Sequence, residues 1–422
     1  MTLIRTSLLN GIAVIIKMLT LLGLNKILAI YVGPSGYAAL GQFRNAVQVI
    51  ATFASGAINT GVTKYTAEYY EDEGKQHAIW RTAGTIALIG CLVTAVLVIG
   101  FNQTLAGWFL KDKSMGSVFI WFAATLVLFV FNTLLLAILN GKKEIHRYVV
   151  ANIAGSLFAL VVTSILSIML GLYGALVSLA VYQSLTFFVT LTLTYRAPWF
   201  KMRYLVGRID RPAVKKLAQY TAMALTSAAC VPLSHILIRN HLGETLGWEA
   251  AGYWEAMWRL SGAYLMMVTS TLSVYYLPRL SELQAPSDIK HEIIQGYKII
   301  LPVAASCGVV IYVLRDFIIH LLFSAEFAPM EQMFAWQMVG DTFKIGSWIL
   351  SYLMLGKAMM KLFVASEIMA SGLFYCLTVV FTDRIGLEGV ALAHSVNYLI
   401  YWLVMAVFIT RSVRINSRGT MK

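Results

Sequence analysis

The chain has 422 residues, of which 59% are hydrophobic and only 13% charged, and its mean hydropathy is +0.73. A soluble domain of this composition would leave a large apolar surface in water, so lipid is the expected solvent. The net charge of +13 would suit nucleic acid, but its placement along the chain assigns it to anionic headgroups instead.

Apolar stretches of about 20 residues, enough to cross a hydrocarbon core at about 1.5 Å per residue, recur from end to end. They predict spans near 8–32, 37–63, 82–101, 118–140, 148–170, 174–194, 217–240, 250–277, 298–314, 331–355, 362–381 and 389–410. The expected fold is an all-α polytopic membrane protein of about twelve transmembrane helices. Lys17 interrupts the first apolar run and no small-residue cleavage site follows, so the first helix is expected to be retained. With the N-terminus in the cytoplasm, the cytoplasmic loops and both termini hold 23 of the 33 Lys and Arg, against 4 in the opposite loops. That bias predicts a multi-pass membrane protein with both termini cytoplasmic. Cys91, Cys230, Cys307 and Cys376 lie within spans at no metal-ligand spacing and read as small apolar residues. No disulfide, metal or cofactor is expected.

Compared with itself at an offset of 215 residues, the chain repeats. Leu139-Asn140-Gly141-Lys142 meets Met354-Leu355-Gly356-Lys357, Gly171-Leu172-Tyr173-Gly174 meets Gly386-Leu387-Glu388-Gly389, and Phe43-Arg44 meets Trp258-Arg259. Six spans per copy is an even number, so the repeat is parallel, with an axis along the membrane normal. This predicts an N-lobe over 1–205 and a C-lobe over 206–422 around a central cleft. Between the lobes, Tyr195 to Lys216 carries seven basic residues interspersed with Trp199, Phe200, Tyr204 and Leu205. It reads as an interfacial amphipathic linker or as a solvated basic loop. The segments Asn102 to Ser117 and Arg315 to Met330 are too short for a periplasmic domain. Gly141-Lys142 and Gly356-Lys357 lack the glycine spacing and the Ser or Thr of a phosphate-binding loop, so ATP hydrolysis is not expected. No local motif supports enzymatic chemistry either.

An ionisable residue inside a span costs about 2.5 to 3.5 kcal/mol at the bilayer centre on insertion scales and is a functional candidate for that reason. Six cations qualify: Lys17, Lys26, Arg44, Arg239, Arg259 and Lys344. Lys26 and Arg239 lie within about 10 Å of helix ends and can snorkel. Glu255 with Arg259, and Asp341 with Lys344, are one turn apart and are expected to pair. Arg44 and Lys17 keep no local partner, which points to a wet, cationic cleft. Because the repeat matches Arg44 with Arg259, both are expected to grip one anion across the axis. The planar fork of arginine suits phosphate oxygens, so a phosphate or diphosphate is the expected ligand, with Lys17, Lys26 and Lys344 as further donors. Tyr253, Trp254, Trp258, Tyr264, Trp348 and Tyr352 are core or lipid-belt aromatics, or platforms for sugar rings. Pro232 is expected to bend its helix as a gate, and Asp341, Glu255 and His235 are the coupling candidates, with His394 a further possible relay.

Several segments resemble the Wzx-type flippases of lipid-linked oligosaccharides, in the multidrug/oligosaccharidyl-lipid/polysaccharide exporter superfamily. They are Val32-Gly33-Pro34-Ser35-Gly36, Phe43-Arg44, Gly61-Val62-Thr63-Lys64-Tyr65, Tyr276-Leu277-Pro278-Arg279-Leu280-Ser281, and Phe334 to Asp341 with Lys344. The resemblance runs end to end, most similar to the enterobacterial common antigen branch, with the O-antigen branch next. It implies two six-helix lobes in a V, with spans 1, 2, 7 and 8 lining the cleft. It also implies transfer of an undecaprenyl-diphosphate-linked glycan to the periplasmic leaflet, with membrane lipids, a Wzy-type polymerase and a chain-length regulator as partners. The alternatives are a multidrug or small-solute antiporter of the same superfamily, which would favour organic cations, and a membrane-embedded glycan polymerase or glycosyltransferase. The lack of a sizeable periplasmic loop disfavours the latter.

Overall fold

In the computed structural model, residues 3–272, 276, 279–280, 283, 285–357 and 359–419 are described. The N-terminal half runs through α1 (Leu3–Tyr31), α2 (Gly33–Ser55), α3 (Asn59–Glu68), α4 (Glu73–Gly100), α5 (Asn102–Phe109), α6 (Gly116–Gly141) and α7 (Ile145–Tyr195). The C-terminal half follows as α8 (Arg211–Thr245), α9 (Trp248–Thr271), α10 (Pro286–Val313), α11 (Arg315–Leu322), α12 (Phe334–Gly356), α13 (Met360–Ile385) and α14 (Glu388–Gly419). The 51 residues of α7 are broken at Gly171, whose φ of 57° and ψ of −135° are non-helical, so α7 supplies two spans. Among the described residues this makes twelve helical segments long enough to cross a bilayer.

Seven helices are also apolar enough to qualify as spans by composition. The long helices outside that set are α2, α8, α9 and α12, and they carry Arg44, Arg239, Glu255, Arg259, Asp341 and Lys344. Four of the six in-span cations therefore lie on these four helices, while Lys17 and Lys26 lie on α1.

The expected second span, 37–63, is not one helix. Gly56 (φ 66°) and Ala57 (φ 53°) leave the right-handed region, α2 stops at Ser55, and α3 restarts at Asn59. The span expected to end at 277 is helical through Thr271, and Leu277, Pro278 and Ser281 lie outside the described residues.

The internal repeat is visible element by element. Helices α4 and α10 are each 28 residues long, and α5 and α11 are each 8. Gly386 breaks the chain between α13 and α14 at φ 67° and ψ −142°, nearly the geometry of its counterpart Gly171. Three residues later the chain must pass against its own preceding helix. A Cβ on Gly174 would lie 1.9 Å from the Leu166 carbonyl oxygen, and one on Gly389 would lie 2.5 Å from that of Phe381, the counterpart of Leu166. Gly174→Ala and Gly389→Ala are each expected to cost about 1–3 kcal/mol, because backbone rather than a pliant side chain must move. Thermal unfolding of the purified variants in nanodiscs checks this.

The chain divides into two compact units, one of Met1–Val32 with Ala39–Leu233 and one of Gly33–Ala38 with Ser234–Lys422. The basic linker belongs to the first, and part of its apolar content is turned inward against α4. Phe200 and Leu205 are buried, Trp80 meets Trp199 edge to face, and Tyr204 stacks on His77 at 3.7 Å. The backbone of Gly207 exchanges two hydrogen bonds with the Thr85 hydroxyl. The aromatics of the linker thus cover α4, leaving its basic side chains to the surface.

Candidate functional site

Two groups of polar side chains sit inside the helical bundles, one in each unit. In the first unit, Lys17 on α1 and Arg44 on α2 are both exposed and stand close enough for their positive charges to act on each other. Among the described residues no acid pairs with either. Beside them, Lys17 and Thr20 open onto a cavity of about 190 Å³ lined also by Asn132, Asn152, Tyr182 and Gln183. Lys26, two and a half turns beyond Lys17, is half-buried. Pro232 is buried on α8, and its carbonyl oxygen accepts a hydrogen bond from Asn45 Nδ2 at 3.4 Å. It sits one residue before the last residue of the first unit.

In the second unit the charges are partnered, but not as the spacing suggests. Glu255 does not rely on Arg259. Its Oε2 accepts from Arg239 Nε at 3.0 Å and Nη2 at 2.7 Å, with both side chains about 2% exposed. Arg239 therefore does not snorkel. Removing one partner of such a buried pair strands the other charge, at about 3–5 kcal/mol. Arg259 lies with its guanidinium over the Tyr37 ring at 5.4 Å. His235, on the turn before Arg239, is edge-on to Trp258 at 4.4 Å and Trp254 at 5.3 Å.

Asp341 does not pair with Lys344 either. Its carboxylate, 1% exposed, accepts from Ser261 Oγ at 2.6 Å, Gln337 Nε2 at 3.3 Å and the Tyr264 hydroxyl. His394 Nε2 completes the set at 3.0 Å. The Lys344 ammonium turns instead to ring faces, 4.1 Å from Trp258, 5.1 Å from Tyr398 and 5.2 Å from Trp348. Cation–π attraction of about 2 kcal/mol or more at a desolvated site explains how a lysine survives there. Helices α9, α12 and α14 are thus joined by a carboxylate–imidazole pair on one side and an aromatic cage on the other. Gly340 permits the approach, since a Cβ there would lie 2.4 Å from His394 Cδ2.

Most of the aromatics named from the sequence are used in packing. Tyr253 packs on Phe327, Trp254 is fully buried, and Tyr352 donates to the Thr269 carbonyl at 3.4 Å. Sequence reasoning missed the amides Asn132, Asn152 and Gln183 and the donors Ser261 and Gln337. The available signal was a polar side chain on an apolar span, which is as costly without a partner as a misplaced charge is.

The chain matches the family described as polysaccharide biosynthesis protein over residues 3–284. It is 30% identical over 404 residues to the lipid III flippases of Escherichia coli (strain K12) and Shigella flexneri, covering 95% of this chain and 97% of each relative. Among solved structures it is similar to an inward-facing multidrug resistance MATE family transporter of the MOP superfamily. That match has a TM-score of 0.78 at 15% identity and covers 95% of both chains. An outward-facing transporter of the same description matches with a TM-score of 0.73 at 16% identity, over 99% of this chain and 96% of that one. At these identities the structural likeness establishes the fold, an all-α multi-pass membrane architecture of the MATE/MOP kind.

Proposed function

The chain belongs to the polysaccharide biosynthesis protein family, and from that membership we propose that it is a flippase for an undecaprenyl-diphosphate-linked oligosaccharide. The cargo moves from the cytoplasmic to the periplasmic leaflet of the inner membrane by alternating access of the lobes 1–205 and 206–422. The named relatives are flippases, not enzymes, and lipid III or an O-antigen repeat unit is the expected class of cargo. The observation that carries the reading is the Lys17–Arg44 pair, two exposed cations on α1 and α2 whose charges act on each other and which, among the described residues, have no acid to neutralise them. Such a pair is stabilised by a polyanion of short oxygen spacing, and a diphosphate supplies one. Arg259 is the corresponding donor from the second repeat. The glycan travels through the wet part of the cleft while the polyprenyl tail stays in lipid.

Reconstituted liposomes carrying a fluorescent polyprenyl-diphosphate oligosaccharide test this. Protein-dependent movement of intact cargo between leaflets is expected, and cleavage or extension of the glycan would replace a flippase with a glycan-processing enzyme. Orientation is tested separately. A reporter fused at Lys113 is expected to read periplasmic and reporters at Gly74 or after Arg411 cytoplasmic, following the Lys and Arg bias. The opposite readout at either end overturns the arrangement.

A further inference from the structure

The cavity in the first unit lies among α1, α6 and both halves of α7, and its polar lining includes Lys17, Thr20, Asn132, Asn152, Tyr182 and Gln183. Helix contacts in a membrane bundle can be made by small and apolar residues, so three primary amides around one cavity call for a reason. Asn132 is 2% exposed, yet its Oδ1 has no hydrogen-bond partner. Leaving such an atom unpaired forfeits its hydration with nothing gained, which is why buried orphans are rare.

The neighbouring amides are half used. Asn152 Nδ2 donates to the Tyr148 carbonyl at 2.8 Å, and Gln183 Nε2 donates to the Tyr182 hydroxyl at 3.2 Å. That leaves the amide oxygens of Asn132, Asn152 and Gln183 as acceptors, with the Lys17 ammonium as a donor at the rim.

This combination discriminates among ligands. A small cation would meet three good acceptors but also the positive field of Lys17 and Arg44, and a bare anion would meet the cations but also three repelling carbonyl oxygens. A group that presents hydroxyl donors next to a negative charge satisfies both halves. We propose that this cavity is a subsite for the sugar ring bonded directly to the diphosphate, a hydroxyl-rich pyranose held by Asn132, Asn152 and Gln183 while Lys17 and Arg44 hold the phosphate oxygens. This rests on the flippase reading and deepens it, by giving the N-terminal half a role in recognising the reducing-end sugar.

Binding to the full chain in nanodiscs tests it, with hexose 1-phosphates, inorganic phosphate and methyl glucosides as probes. The unmodified protein is expected to bind at least one hexose 1-phosphate about fivefold more tightly than inorganic phosphate, as one or two neutral hydrogen bonds provide. Asn132→Leu is expected to erase that preference while leaving phosphate affinity in place, and Lys17→Met to weaken both. If Asn132→Leu does not yield monodisperse protein, Gln183→Leu is read in the same way. An unmodified protein without the preference overturns the subsite, as does a preference that survives Asn132→Leu or Gln183→Leu. Failure of the flippase reading shows elsewhere, as a sugar preference present in binding with no protein-dependent movement of cargo in liposomes.

Discussion

Arg44→Ala is expected to abolish surface polysaccharide in a complementation assay at matched protein level, and Arg44→Lys to retain part of it. Arg44 has a cationic neighbour and, among the described residues, no acidic one, so its removal relieves repulsion in the empty protein and leaves folding undisturbed. The loss is therefore borne by the ligand. A guanidinium holding phosphate oxygens in a fork makes two charge-assisted hydrogen bonds, each about 1.5–3 kcal/mol, so deletion lowers transport about 10²-fold or more. Lysine keeps the charge and loses the fork, which places its effect between the two. Arg259→Ala acts in the same direction and more weakly, since its guanidinium is already engaged with the Tyr37 ring. Normal polysaccharide from Arg44→Ala rules out a diphosphate-binding role for this residue.

The architecture was readable from the sequence because lipid imposes two constraints at once. A span must be long and mostly apolar, and its backbone polar groups must be satisfied within the helix, so hydropathy marks seven helices outright, while α2, α8, α9 and α12 fall below that level and carry ionisable residues. The repeat was equally open, since a duplicated fold retains glycines where a side chain would collide with backbone, as at Gly174 and Gly389. Less readable was the break between α2 and α3. A non-glycine residue at positive φ, Ala57, carries no local warning. The inward packing of the linker rings was hidden for another reason. Alternating basic and aromatic residues look the same whether the rings lie in headgroups or on a helix, and only the tertiary partners, His77, Trp80 and Thr85, distinguish them.

The candidate site was readable as a list of residues but not as a set of pairs. Helical spacing proposes partners three or four apart on one helix, worth about 0.2–0.5 kcal/mol in isolated helices. A buried carboxylate needs several donors around it, and the available ones came from other helices: Arg239 on α8 for Glu255, and Ser261, Tyr264 and His394 on α9 and α14 for Asp341. Desolvation decides the outcome, because one weak local pair cannot offset the burial of a charge, while a network that saturates its lone pairs can.

Asp341→Asn is expected to eliminate gradient-driven flipping, and adding His394→Asn is expected not to restore it. Two roles are compatible with a carboxylate under four donors. In one, Asp341 and His394 are a fixed strut between α12 and α14, and the single change fails because it leaves an imidazole buried against a poor partner. The double change then strands nothing, the paired amides can hydrogen-bond each other, and activity returns. In the other, the pair takes up and releases a proton as the lobes exchange inward and outward states, which requires one group whose charge changes with its hydration. Two amides cannot do that, so the double variant inserts and binds cargo but does not couple. Lys344 provides the control. The spacing alone would make Lys344→Met the compensating change for Asp341→Asn, but the ammonium sits on the faces of Trp258, Trp348 and Tyr398, so this addition is expected to rescue nothing. Recovery of gradient-driven transport with His394→Asn assigns the pair to structure. Recovery with Lys344→Met would instead mean that the lysine leaves its aromatic cage and meets Asp341 in another state of the transport cycle.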